Sequence, residues 1–334
     1  MDDAAPQVEL SPARTIFIGP DGLRAGWSLL IYIALLATSL FFANWITHKV
    51  HHTPSTQKSP HYQEITPRAS IVGEGVPLLL IVATTWIMAK IENRSIGIYG
   101  LGGTRRLFHF STGLAWGVAF LSLLVLTLKR AGLLIFDQRL LSGTSILRYG
   151  LIWLVGFLLV AMLEEYLVRG YLLFTLSRGL SGIYVALNAT NSKALGFWTA
   201  ALLLSLFFGL AHGSNPGESP IGLLSAGLAA LVFCLSLWRT GSLWWAIGFH
   251  TTWDWAQSFL YGVADSGTMV SFHLFSTHPF GRPILSGGAT GPEGSIYILP
   301  LMTLITVVIL FTLPAAQTRN TLPRAALTKT ISER

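Results

Sequence analysis

The stretch LIWLVGFLLVAMLEEYLVRGYLLF, residues 151–174, decides the fold. Its only charged residues are Glu164, Glu165 and Arg169, and the apolar run continues on both sides of them. That pattern reads as a helix interior in a membrane, where a crossing needs about 20 apolar residues and each backbone polar group bonds within its own helix. A charged side chain at such a helix centre costs about 2.5–3.5 kcal/mol on insertion scales, so a chain that keeps one there uses it. Glu165 and Arg169 are four residues apart, share a face and can neutralise each other. Glu164 lies about 100° further round, with no partner at that spacing. A carboxylate in a dry site is a candidate general base, and the structural alternative is a charge network that only locks helices together.

The rest of the chain supports the membrane reading. Of 334 residues, 52% are hydrophobic and 11% are charged, whereas an ordinary soluble domain is about a quarter charged. Mean hydropathy is +0.58. These values exclude a soluble globular protein, a disordered chain and a disulfide scaffold. About eight apolar tracts follow one another: 25–46, 71–89, 110–128, 149–163, 194–211, 221–238, 243–263 and 296–313. The expected fold is an all-α polytopic membrane protein of about eight transmembrane helices with its site in the bundle core. The expected organisation is a cytoplasmic N-terminal segment 1–24, a single transmembrane helical domain 25–313 with its motif-bearing core at 149–261, and a polar basic tail 314–334. The first tract is too long for a cleaved signal and follows Asp2, Asp3 and Glu9, so it reads as an anchor.

The net charge of +7 is expected in the loops, where it orients the chain, and not as a nucleic-acid surface. With both termini cytoplasmic, the inner segments hold 13 Lys and Arg and the outer loops 8. Cys234 is the one cysteine, which leaves no intrachain disulfide and no thiolate cluster. The final residues Ile-Ser-Glu-Arg carry no prenylation box. His48, His51, His52 and His61 read as a solvated loop, Glu74 as an interfacial carboxylate, and LSGGATGPEG (285–294) as a turn-rich loop without the Lys-Ser/Thr of a phosphate loop.

Two further tracts carry ionisable residues. In FFGLAHG, His212 follows Phe208 by four at a span end marked by Gly213, Asn215 and Pro216. In GFHTTWDW, His250 and Asp254 share a helix face, so the acid can orient the ring. The neighbouring Trp244, Trp245, Trp253 and Trp255 read mostly as an interfacial belt. Converging in a bundle core, such groups suit peptide hydrolysis: a Glu–His pair can deprotonate a water and a second His can stabilise an oxyanion. Measured from the same side, His212 lies about 16 residues and His250 about seven residues into its tract, a depth gap of about 14 Å.

Glu-Glu-x-x-x-Arg at 164–169, Phe-x-x-x-His at 208–212 and His-x-x-x-Asp at 250–254, in that order, resemble the three motifs of the type II CAAX prenyl endopeptidases, the CPBP or Abi family. The resemblance covers residues 149–261. It implies an intramembrane endopeptidase of a bacterial cytoplasmic membrane whose substrate is a membrane-associated protein or peptide, prenylated in the eukaryotic members, with no nucleic-acid partner. Carried over residue by residue, it makes Glu164 the base, His212 its partner and His250 the oxyanion stabiliser. Glu165, Arg169 and Phe208 become supports. The third motif often ends in Asn. Asp254 stands there instead, either protonated or orienting His250. The family has been called metalloprotease, yet the glutamate mechanism needs no metal and HExxH is absent. The expectation is therefore no cofactor, with zinc on Glu164, His212 and His250 as the alternative. The rival functions are a proton-coupled transporter and a catalytically inactive immunity or binding protein.

Overall fold

The computed structural model describes residues 16–50 and 64–313. Residues 1–15 of the expected N-terminal segment 1–24, the histidines of the first loop and the tail 314–334 lie outside the described residues or their side chains. The fold is a helical bundle: α1 (Ala25–Val50), α2 (Pro67–Ile91), α3 (Arg106–Arg130), α4 (Thr144–Glu164), α5 (Leu173–Ala186), α6 (Ser192–Ala211), α7 (Pro220–Thr240), α8 (Trp244–Asp254), the short α9 (Pro283–Ser286) and α10 (Ile298–Thr312). Helix starts follow local chemistry. Thr66 accepts from Ala69 N at 3.3 Å and Ser219 from Gly222 N at 3.0 Å, each ahead of a proline at the first helical position, where a missing N–H costs nothing.

All eight apolar tracts are helical, and the all-α polytopic fold stands. Among the described residues six helices are long and apolar enough to cross a membrane, against about eight expected. α10 has 15 residues and α8 has 11, extended by a π turn of 6 (Trp255–Leu260). Every residue of α8 except Trp244 and His250 is buried, which is how a helix apolar all round behaves when others enclose it. The tryptophans here are therefore not a lipid-facing belt. Trp245 is wholly buried, and Trp255 Nε1 donates to Gly150 O at 2.8 Å. A second difference concerns the deciding stretch. α4 and α5 form one continuous helical rod of 43 residues, Thr144–Ala186, joined by a π turn at Glu165–Leu172. At 1.5 Å per residue it is about 65 Å long, twice the hydrocarbon thickness.

Along their helices His212 stands twenty residues after Ser192 and His250 six residues after Trp244. The two histidines nevertheless line one cavity.

α8 is held by close contact with α3. A Cβ added at Gly113 would fall on Trp245 O, one at Gly117 on Phe249 O, and one at Gly248 on Phe110 O. Small residues let backbones approach this closely in membrane bundles. Thr252 Oγ1 adds a bond to Leu114 O at 2.7 Å. Gly117→Leu is therefore expected to separate α3 from α8 and cost about 1–3 kcal/mol or more. Thermal unfolding of the purified protein checks this, and an unchanged midpoint would refute the contact.

Short strands close the two ends. β1 (Ile18–Gly19) and β2 (Gly22–Leu23) form a hairpin held at one end by Arg94 Nη2 to Asp21 O (2.9 Å) and Arg178 Nη1 to Leu23 O (2.9 Å). At the other end β3 (Glu64–Ile65) pairs parallel with β5 (Met269–Val270), and β4 (Leu134–Arg139) pairs antiparallel with β6 (Phe275–Pro279). These ribbons anchor a cap formed by residues 261–297. The turn-rich reading of 285–294 holds: Gly291 has φ +111, and a Cβ there would strike Ala264 O, a place only glycine fills without strain.

Candidate active site

The first and third motif segments meet at His250. Its Nδ1 lies 3.1 Å from Glu165 Oε1, and its Nε2 lies 3.3 Å from Asp254 Oδ2 and 3.8 Å from Glu164 Oε2. Ionised carboxylates only accept, so a ring carrying a proton on each nitrogen satisfies both sides. Glu165 Oε1 also accepts from Arg169 Nη1 at 3.0 Å. The predicted i,i+4 pair is therefore present, with side chains 0% and 1% exposed. The role expected for Glu165 needs widening. Besides pairing with Arg169, it is the second anchor of His250, reached across from another helix. Glu164, which has no partner on its own helix, is the open carboxylate of the group: its side chain is 29% exposed, against 8% for Asp254.

Both motif pairs sit at π turns. Glu164 precedes the turn at 165–172 and Asp254 the turn at 255–260. Such turns recur at functional sites because they shift the register of side chains around the helix. Phe208 joins the second motif to the first. Its ring centroid is 4.3 Å from the Arg169 guanidinium and 4.7 Å from the His212 ring. His212 Nδ1 lies 2.8 Å from Phe208 O. A carbonyl only accepts, so Nδ1 carries the proton and Nε2 of the neutral ring keeps its lone pair.

Glu164, Phe208, His212, His250 and Asp254 all line one cavity of about 290 Å³. One wall is apolar, with Trp153, Phe157, Met302 and Ile305. The lining adds polar groups that the motifs do not contain: Glu74, Asn215, Asp265 and Glu293. Glu74 is thus a cavity residue and not a lone interfacial carboxylate. Glu293 is the single acid in the glycine-rich stretch 285–294, an available signal. Asp265, four residues past Tyr261 in irregular chain, offered none.

The cap binds its acids tightly. Glu293 Oε1 accepts from Ser266 Oγ at 2.9 Å and from the Ser266 N–H. Asp265 Oδ2 accepts from Ser258 Oγ at 3.2 Å. Burial, then the charges of Asp254 and Glu293, hold the Asp265 carboxyl well above the usual range. Burial also raises Glu293, against the Ser266 donors. Free in an unfolded chain, these acids titrate near pH 4. Their folded forms keep protons above that, so the cap is most stable at low pH and loses stability as pH rises through the raised folded values. Hydrogen exchange over 261–297, corrected for intrinsic rate, should show falling protection from pH 5 to pH 9, with a weaker slope in Asp265→Asn. Protection that rises with pH would contradict this.

Both His250 nitrogens face carboxylates within 3.3 Å. Among the described residues no three His, Cys, Asp or Glu side chains are grouped to hold a metal ion.

The family model described as type II CAAX prenyl endopeptidase Rce1-like matches residues 147–256. The matched span contains Glu164, Glu165, Arg169, Phe208, His212, His250 and Asp254. This stretch, a third of the chain, is similar to that family. No curated protein and no solved structure matches the chain. The matched span holds the motif residues of the cavity wall, while Glu74, Asp265, Glu293, Met302 and Ile305 come from outside it.

Proposed function

We propose that this protein is an intramembrane endopeptidase that hydrolyses a peptide bond of a membrane-associated protein or peptide with a water activated by Glu164 and His212. The observation that carries the reading is the shared cavity. It presents the open carboxylate of Glu164, the free Nε2 of His212 and the anchored ring of His250 to one volume too small for more than a short peptide segment.

In this reading the water lies between Glu164 and His212 Nε2, which accepts one of its protons in a hydrogen bond. Glu164 takes the other as the water oxygen bonds to the carbonyl carbon. The carbonyl electron pair moves to oxygen, where the Asn215 amide can donate and the His250 ring, protonated on both nitrogens with its Nε2–H on Asp254, stabilises the charge. Collapse of the tetrahedral intermediate breaks the C–N bond, and the proton on Glu164 passes to the leaving nitrogen. Asp254, 3.3 Å from His250, serves as the orienting acid and not as an oxyanion contact. The apolar wall suits a substrate side chain or lipid delivered from the bilayer. The chemistry is metal-independent. Cleavage of a reporter peptide anchored in proteoliposomes should be unaffected by a strong zinc chelator. Loss of activity on chelation and its return with added zinc would overturn that mechanism.

A further inference from the structure

A second apolar hollow stops just short of the candidate active site. It is a groove of about 470 Å³ walled by Trp198 of α6, Leu228, Leu231 and Leu235 of α7, and Leu299 of α10. Thr303 and Thr306 also line it, and their hydroxyls donate back along their own helix, to Leu299 O at 3.2 Å and Met302 O at 2.8 Å. The cavity of about 290 Å³ that holds Glu164, His212 and His250 shares two residues with this groove, Val232 and Met302, and no other among the described residues.

Helix geometry accounts for that division. On α7, Ser225, Ala229 and Val232 line the cavity, while Leu228, Leu231 and Leu235 line the groove. At about 100° per residue the two sets lie roughly 90° apart, with Val232 on the boundary. On α10, Ile305 lines the cavity, Leu299, Thr303 and Thr306 line the groove, and Met302 falls between them. Both shared side chains are buried, Met302 at 7% and Val232 at 8% exposure, so they stand as a partition between two spaces. The partition is close to the reacting groups, because Phe233 follows Val232 and its ring centroid is 5.6 Å from that of His250. Valine is stiff at χ1, whereas methionine is unbranched and turns about several bonds. Met302 is therefore the adjustable part, and it lies outside the residues 147–256 that the family model matches.

We infer that Met302, backed by Val232, is a specificity-determining residue of the candidate active site: it ends the space for an apolar substrate side chain and bars a longer lipid chain from the groove behind. The inference rests on the peptidase reading, and narrows its substrate to a peptide with an apolar residue of ordinary length at the cleavage site.

The test is binding and cleavage of one series of anchored reporter peptides in proteoliposomes. Its members differ at a single side chain: alanine, leucine, or cysteine carrying an S-butyl, S-octyl or S-hexadecyl group. Saturable binding is read by competition, with concentrations counted per lipid so that partitioning into the bilayer alone gives no trend. The unmodified protein should bind and cut the leucine and S-butyl members best, and the S-hexadecyl member about tenfold less well or worse. Met302→Ala should accept the S-octyl and S-hexadecyl members as well as leucine, and Met302→Trp should shift the preference to alanine. An unmodified protein that binds all lengths equally, or binds none, overturns the inference. So do folded variants whose length preference is unchanged. The series on the unmodified protein decides even if a variant fails to fold. A length cut-off in binding with no member cut would leave the partition standing and remove the peptidase reading, and cleavage without length dependence would do the reverse.

Discussion

Glu164→Gln is expected to lower peptide-bond cleavage by about 10²–10⁴-fold with little change in thermal stability. The amide keeps the shape of the carboxylate but cannot take a proton from water. Glu164 is the most exposed acid of the cluster and stands 3.8 Å from His250, so its replacement leaves the two closer anchors of that ring in place. The readout is cleavage of an anchored reporter in proteoliposomes beside an unfolding curve. A rate within a few-fold of the parent would remove Glu164 as the base. Equal loss of stability would move it to the structural network.

Arg169→Met is expected to act in the opposite manner, on the fold first. The guanidinium is the cation beside Glu165, whose side chain is fully buried. Removing it strands a carboxylate in a dry interior and costs about 3–5 kcal/mol. Activity should fall as well, because Glu165 fixes His250 Nδ1. The double variant Glu165→Gln, Arg169→Met removes both charges and should recover much of the stability, since an uncharged pair of similar size is often tolerated. It should not recover activity, because the His250 ring then lacks its charged anchor. Unfolding curves for the three proteins separate these effects, and a double variant as unstable as the single one would refute the pairing argument.

What was legible in the sequence follows from what periodicity can encode. Helix positions were legible from apolar runs, and two contacts from spacing alone: Glu165 with Arg169, and His250 with Asp254. The convergence of Glu164, His212 and His250 was legible only as a demand of chemistry, since spans drawn with equal ends set the histidines at different depths. All three line one cavity, which spacing along single helices does not record. The Glu165–His250 link depends on how two helices pack, which no pattern along one helix records. The same limit misread the tryptophans around α8: an apolar helix surrounded by helices and one facing lipid have the same composition. Asp265 and Glu293 lie in irregular chain, where side-chain direction has no period.

The central claim is that one cavity holds the water, its base and its partner. Its most direct test is cleavage of a membrane-anchored reporter in H2(18)O by the reconstituted protein and by His212→Ala, read by mass spectrometry. The account predicts a single heavy oxygen in the new carboxyl terminus from the parent protein, and about a hundredfold less product from the variant. Equal product from both proteins would contradict it, as would proton flux across the vesicle with no peptide cut.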